Sequence, residues 1–254
     1  MNKNKKKIVI LLPARISSTR IKTKLLKKIH GIPIILHTIL RIKLVKNINK
    51  IIVCTDSKEI QKLVKPYGIT AVMTAKHHKN GTERIAEVAK TIKADLFVDV
   101  HSDEAIINPK NVEKLISFHL KNNNFDIVVP HKVSNFSGGE NIVKVIYNFK
   151  NQKVLYFSRS DSPYPFRKKK GVYFHHLDTI SFKPKALKKF SKVRQGELEK
   201  IEGIELMRAL ENNLNVGTFS IKTNTFSINT PKDFKKAKSF LVKDKFFKKY
   251  REKI

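Results

Sequence analysis

Acidic residues are scarce in this 254-residue chain: 21 Asp and Glu stand against 53 Lys and Arg, a formal net charge of +32. There is one cysteine and no tryptophan. The lone Cys54, inside the apolar run IIVCT, excludes an internal disulfide and fits a reducing, intracellular setting. Long apolar runs are also missing. None approaches the roughly 18 to 20 residues of a membrane span, so no membrane insertion is expected. The N-terminal MNKNKKKIVILLPAR has a basic start and an apolar run, as a leader peptide would. The run is short, however, and Pro13-Ala14-Arg15 falls where a cleavage site would be sought. It reads as a first strand.

What the chain does have is 41% hydrophobic residues, 16 Phe among them, and enough length to bury a sizeable core. Its charge admits two readings, a dedicated polyanion surface or a general drift of the surface toward lysine. Lys far outnumbers Arg and is spread along the whole chain, with Asn and Ile also abundant. That distribution fits drift, so no specific nucleic-acid partner is expected.

Apolar runs and helical spacings alternate through the first half. KIVILLPA (7–14), INKIIVCTD (48–56), ITAVMT and ADLFVDVHSDEA (94–105) read as strands. IILHTILRIKLV, SKEIQKLVKPYG and GTERIAEVAKTI read as helices, Ser57 capping one that Gly68 stops and Thr82 sufficing to cap the start of another. NPKNVEKLISFHL is a further helix and DIVVPH a further strand. This order implies an α/β fold with a doubly wound, mostly parallel sheet that binds ligands at the carboxyl ends of its strands. The second half changes character. NIVKVIYN, KVLYFSRS and HLDTISF are shorter strands between turns at Gly138-Gly139, Asn151-Gln152 and 168–171, as a smaller antiparallel insertion would have. GELEKIEGIELMRALENN reads as one helix, TFSIKTN as a strand, and TPKDFKKAKSFLV as a helix with Thr230 as cap and Pro231 at its first position. The expected division is a single domain over 1–240, with 131–195 the insertion, followed by a Lys-rich tail (241–254) read as a frayed helix without a role.

Three polar tips fall at the carboxyl edge of the sheet: PARISSTR, VCTDS and VHSDEA. Arg15, Arg20 and Lys24 follow the first strand. Backbone N–H groups there, joined by these cations, make either an anion cradle or a solvated basic loop. The Walker pattern G-x-x-x-x-G-K-[ST] is absent. HHKNGTER offers Asn80, Gly81 and Thr82 at a helix start, while His77 and His78 read as surface residues. Asp99 and Asp103 at the fourth strand's tip, with Glu104, suit a hard cation such as Mg²⁺ or serve as helix caps. Together, a cationic loop and a carboxylate tip on one sheet edge suit a nucleoside triphosphate with Mg²⁺.

PARISSTR with Lys24, HGIPII, NGTER, VHSDEA, LYFSRSDSPY, HHL, LEKIEGIELMRAL and INTPKDF occur in that order. The series resembles the 3-deoxy-manno-octulosonate (Kdo) cytidylyltransferases over roughly residues 7 to 240; the acylneuraminate cytidylyltransferases match less well. The resemblance implies a nucleotidyltransferase that joins CTP to the anomeric hydroxyl of a 2-keto-3-deoxy sugar acid, releasing pyrophosphate, in lipopolysaccharide biosynthesis. It implies that Ala14, Arg15, Arg20 and Lys24 hold the triphosphate and that Thr74, Asn80, Gly81 and Thr82 line the cytidine pocket. Asp103 would bind Mg²⁺ and act with Arg15 and Lys24 in catalysis, while Arg159, His176 and Glu202 or Glu205 would serve the sugar. A cytoplasmic homodimer, formed largely by the insertion, is the expected assembly.

The departures from the family pattern are specific. Lys22-Thr23 stands for the usual Pro-Gly, His101-Ser102 for Gln-Gly, and Ala105 for Pro at the end of the acidic tip. Ile180 replaces a Tyr, and Leu206 a Gln. Asn229 replaces an Asp that is a second metal ligand, and Asp99 stands where Asn is common and could restore the lost charge. A persisting strand would place Asp99, His101 and Asp103 on one face. A degenerate nucleotide-binding paralogue, or a synthetase for another keto-sugar acid such as a nonulosonic acid, are the competing readings.

Overall fold

The apolar run after the lysine-rich start forms strand β1 (Ile8–Ala14), buried at every residue except the half-buried Pro13. The computed structural model describes residues 6–15, 23–167, 171–228 and 230–252. Arg20 and Asn229 therefore lie outside the described residues. The backbone divides into two compact units, Met1–Lys114 with Asn224–Ile254, and Leu115–Thr223.

In the first unit β1 leads to a hairpin, β2 (Lys28–Ile29) and β3 (Ile32–Pro33). Its turn is His30-Gly31, at φ 49° and 82°, the pair of positive angles that a tight two-residue hairpin turn demands. In the sequence pattern this stretch shows only as the approach to a helix. Helix α1 (Ile34–Ile42) follows, all nine of its residues buried. Then come β4 (Lys50–Thr55), α2 (Lys58–Val64), β5 (Thr70–Met73), α3 (Gly81–Ala89) and β6 (Leu96–Val100).

The four long strands pair in the order β5-β4-β1-β6, all parallel. Direction of winding reverses between β1 and β6, and in such sheets ligands bind outside the carboxyl ends at that reversal. Ser57 caps α2 by accepting from Ile60 N–H, and Gly68, at φ 67°, ends the turn after it, as expected. The cap of α3 differs from the expectation. Asn80, not Thr82, is outside the helix in extended backbone, and its side chain accepts from Glu83 N–H at 2.8 Å. An Asn carbonyl reaches the N3 amide as well as a hydroxyl does, which leaves Thr82 inside the first turn and fully buried.

The chain continues through helix α4 (Pro109–Lys121). In the second unit β7 (Ile127–Ser134), β8 (Lys144–Tyr147), β9 (Val154–Ser158), β10 (Tyr173–His176) and β11 (Thr179–Phe182) form antiparallel pairs in the order β11-β7-β10-β8-β9. Helices α5 (Pro184–Phe190), α6 (Glu197–Glu202) and α7 (Met207–Glu211) follow, and β12 (Val216–Ser220) lies parallel to β7. The mixed fold, parallel strands and flanking helices with antiparallel strands in the second half, is the class expected.

One long helix over GELEKIEGIELMRALENN does not form. Gly203 takes φ 61° and closes α6, its N–H bonding to Glu199 O at 2.9 Å, before α7 restarts at Met207. Across the break Arg208 donates to both Glu199 oxygens at 2.6 and 2.8 Å, a buried two-pronged pair.

Helices α8 (Pro231–Lys243) and α9 (Lys245–Arg251) belong to the first unit. Thr230 and Asp233 cap α8 reciprocally, with Pro231 at its first position. The tail differs from the frayed helix expected. Phe247 and Tyr250 are each 2% exposed, and Asp244 caps α9 by accepting from Phe247 N–H at 2.7 Å. Two aromatic anchors and a cap explain the order that lysine content hid.

Candidate active site

The carboxyl ends of β1 and β6 are stitched together. Ser102 Oγ donates to Pro13 O at 2.7 Å, and Thr38 Oγ1, from α1, donates to Ser102 O at 3.0 Å. Ala14 is buried at the end of β1, and Arg15, the next residue, is exposed. Strand β6 stops at Val100, and the chain turns, Glu104 N–H bonding to His101 O at 3.2 Å. Strand alternation thus does not reach Asp103, which sits on the turn. Asp99 is fully buried within β6, in register with Leu11.

Lys24 and Asp103 meet at this edge, Nζ to Oδ2 at 2.5 Å. Lys24 is only 8% exposed. Burying an ammonium that far is costly unless a counter-charge accompanies it, and Asp103 supplies one. The lysine opens a short 3-10 turn (Lys24–Leu26) entered through Thr23 at φ 51°, ψ 33°. That left-handed backbone is strained for a β-branched residue and unstrained for the glycine that the family pattern has there.

The pyrimidine-side residues named from the sequence gather at the start of α3 and the end of β5. Thr74 N–H bonds to Thr55 O at 2.8 Å, continuing the β5–β4 ladder by one residue. A Cβ on Gly81 would meet Pro13 Cγ at 3.1 Å, so the start of α3 lies against the end of β1 with little room for a side chain. Asn80 spends its side-chain oxygen on the helix cap. Arg84, 3% exposed, donates through Nη1 to Thr74 Oγ1 at 2.5 Å and through Nη2 to Asp56 Oδ2 at 2.9 Å. His78 contacts Glu87, which also accepts from Ala75 N–H at 3.1 Å, tying the 75–80 loop to α3. Cys54 is fully buried, and that burial pushes its thiol up, away from the thiolate form.

In the second unit Arg159 is committed to backbone. Its Nε donates to Glu202 O at 2.6 Å, Nη1 to Glu140 O at 2.8 Å and Nη2 to Gly203 O at 3.2 Å. Three of about five guanidinium N–H groups are so used. Glu202 accepts from Arg159 N–H at 2.9 Å and, more distantly, from Ser158 and Tyr156 hydroxyls. His176 Nδ1 lies 3.6 Å from Asp178, and Glu205 is half-buried. Ile180 and Leu206, which replace hydrogen-bonding residues of the family pattern, are both 2% exposed.

Lys144 carries no signal in the sequence. It is fully buried and donates to the carbonyls of Gly139, Ile142 and Arg159 at 2.8, 2.9 and 2.7 Å. Burial lowers its pKa. Nothing marks one lysine in so lysine-rich a chain, whereas Arg84 lay within the NGTER motif.

The parallel order β5-β4-β1-β6, with the Lys24–Asp103 pair at its reversal, is that of a doubly wound α/β protein, a class whose ligands bind at this carboxyl edge. The chain belongs to the cytidylyltransferase family, whose model matches residues 9–222. It is 35% identical over 236 residues to the 3-deoxy-manno-octulosonate cytidylyltransferase of a Nitratiruptor species, covering 90% of this chain and 97% of that protein. With the Escherichia coli protein of the same name it shares 31% over 244 residues, 94% and 97% of the two chains. A solved structure of CMP:2-keto-3-deoxy-manno-octonic acid synthetase complexed with CTP superposes with a TM-score of 0.88 at 29% identity, covering 93% of this chain and 98% of that one. Among the described residues no helix is long and apolar enough to cross a membrane.

Proposed function

We propose that this protein transfers the cytidylyl group of CTP to Kdo or a close keto-sugar acid, giving the CMP-sugar and pyrophosphate. The observation that carries the reading is the Lys24–Asp103 pair at the reversal of the sheet, together with likeness over nine-tenths of the chain to proteins named for this reaction. The anomeric oxygen attacks the α-phosphorus, the bond from that phosphorus to the oxygen bridging to the β-phosphate breaks, and pyrophosphate leaves with the bonding pair while the hydroxyl proton passes to solvent. In such a displacement, positioning and charge neutralisation carry the catalysis.

Arg15, Arg20 and Lys24 hold the triphosphate beside Ala14, and Lys24 exchanges part of its contact with Asp103 for phosphate oxygen. Thr74, Asn80, Gly81 and Thr82 hold the cytidine. Arg159, His176, Glu202 and Glu205 belong to the sugar side. The donor set suits Mg²⁺ at Asp103, which has a second carboxylate oxygen besides the one Lys24 holds; Asp99, buried within β6, is the carboxylate assigned to offset the charge that Asn229 lacks. When bound, the ion neutralises phosphate charge. The assembly is a homodimer in the cytoplasm; for the self-association, support comes from Phe136, Phe149, Tyr164, Phe166 and Ile201, each at least 70% exposed and all in the second unit.

The test is pyrophosphate release from CTP and Mg²⁺ with Kdo, its 8-amino analogue and nonulosonic acids in parallel. Release with Kdo or its analogue is expected; release with a nonulosonic acid alone would reassign the acceptor. No release with any, with CTP still bound, would leave the degenerate nucleotide-binding reading standing instead.

A further inference from the structure

We propose that Arg84 makes the Thr74 hydroxyl a fixed hydrogen-bond donor that reads the ring N3 acceptor of cytosine, and so selects CTP over UTP. The inference rests on the cytidylyltransferase reading and adds to it the element that names the base.

A guanidinium has donors and no acceptor. The 2.5 Å contact from Arg84 Nη1 to Thr74 Oγ1 therefore uses a lone pair of the hydroxyl and turns its proton away from Arg84. Arg84 is itself held, by Asp56 Oδ2 at 2.9 Å, and is 3% exposed, so the arrangement cannot easily rotate. Thr74 is 7% exposed, its N–H is taken by Thr55 O, and among the described residues no acceptor receives its hydroxyl proton. A buried donor of this kind calls for an acceptor from outside the chain. Its place is right for a base: the carboxyl end of β5, with Arg84 from α3, the helix whose first residue abuts Pro13.

The chemistry separates the two pyrimidines. Cytosine presents an unprotonated N3, an acceptor, whereas uracil carries N3–H, a donor. A free hydroxyl can serve either by turning. Thr74 cannot do so without cost, because accepting from uracil would leave its own proton buried with no acceptor. Arg84 is thus a positioning residue acting through Thr74, and the discrimination is of the kind that a committed hydrogen-bonding group gives.

Equilibrium binding of CTP, UTP and 3-deaza-CTP, in which N3 is a C–H group, tests this without requiring any variant to fold. The parent is expected to bind CTP at least tenfold more tightly than either of the others. Thr74→Val should lose that preference by weakening CTP alone, and Thr74→Ser should keep it. Equal affinity of the parent for CTP and 3-deaza-CTP would overturn the inference while leaving cytidylyl transfer intact. So would equal weakening of CTP and UTP by Thr74→Val, which would mean that the hydroxyl reads the O2 common to both bases. Binding of none of the three would bring down the cytidylyltransferase reading itself.

Discussion

Asp244 Oδ1 lies 2.5 Å from Arg41 Nη2, and the same carboxylate oxygen caps the last helix. Arg41 is 1% exposed, and its Nη1 donates to Ile107 O at 2.9 Å. Nearby, Tyr250 Oη is 2.6 Å from His37 Nδ1, whose Nε2 is 2.9 Å from Ile29 O. The ring thus donates from Nε2 and accepts the tyrosine hydroxyl at Nδ1. Through these contacts the C-terminal helix braces α1 and the hairpin that follows the Lys24 turn.

Asp244→Ala would strand a buried guanidinium and uncap α9. Breaking such a pair from one side costs about 3–5 kcal/mol, so thermal unfolding should shift down by roughly 6–20 °C for a chain of this size. Tyr250→Phe, which removes one hydrogen bond, should cost about 1 kcal/mol. An Asp244→Ala melting curve that overlays the parent's would refute the bracing role of the tail.

Acid should unfold the protein through its interior histidines. Burial holds His37, His119 and His131 down at about 4, from an ordinary 6.5. Above the ordinary value both states are neutral and nothing changes. As pH falls below it the unfolded chain takes up protons that the folded one refuses, so stability drops between about 6.5 and 4. Each histidine contributes up to about 1.4 kcal/mol per pH unit. Denaturant midpoints should therefore be flat from pH 8 to 7 and fall steeply below 6, less steeply in His131→Gln. Midpoints constant down to pH 5 would contradict this.

At Thr23 the expected gain is in stability. Its φ of 51° costs a β-branched residue roughly 1–2 kcal/mol. Glycine relieves that at an entropic cost of about 0.5–1 kcal/mol. Thr23→Gly should match or exceed the parent in chemical denaturation, and Thr23→Val should be no better than the parent. A clear loss in the glycine variant would show that the Thr23 side chain contributes more than its backbone strain costs.

Removal of either partner at the sheet reversal should separate folding from activity. Lys24→Met replaces a buried ammonium with an apolar side chain of similar length and should cost at least a hundredfold in kcat/KM, with CTP affinity falling too. Asp103→Asn should depress kcat more than it weakens CTP. Steady-state kinetics beside melting curves would decide it, and near-parental kinetics in both variants would remove the pair from the mechanism.

Much of this was legible in the residues because burial on both faces writes itself as an unbroken apolar run, as in IVILLPA and IIVCT. Ser57, Gly68, Thr230 and Pro231 announced helix ends by their own local chemistry. Other features depend on competition that a single sequence does not settle. Asn80 and Thr82 are both able caps, and backbone geometry chose between them. Gly203 lies inside a stretch whose spacing reads as one helix, yet its φ of 61° closes α6, and the Glu199–Arg208 pair spans the break. Lys24 and Asp103 were each picked out, yet their contact joins residues 79 apart and follows only from strand order. Lys144 and the tail were hidden by the lysine background, since composition shows neither which ammonium is buried nor which aromatics anchor a charged helix.

The most direct measurement is a ³¹P NMR time course of the protein with CTP, Mg²⁺ and Kdo. The triphosphate signals should give way to free pyrophosphate and one new phosphodiester resonance, in equal amounts and only when the sugar acid is present. Pyrophosphate without the diester, or CTP unchanged beside all the candidate acids, would contradict the proposed transfer.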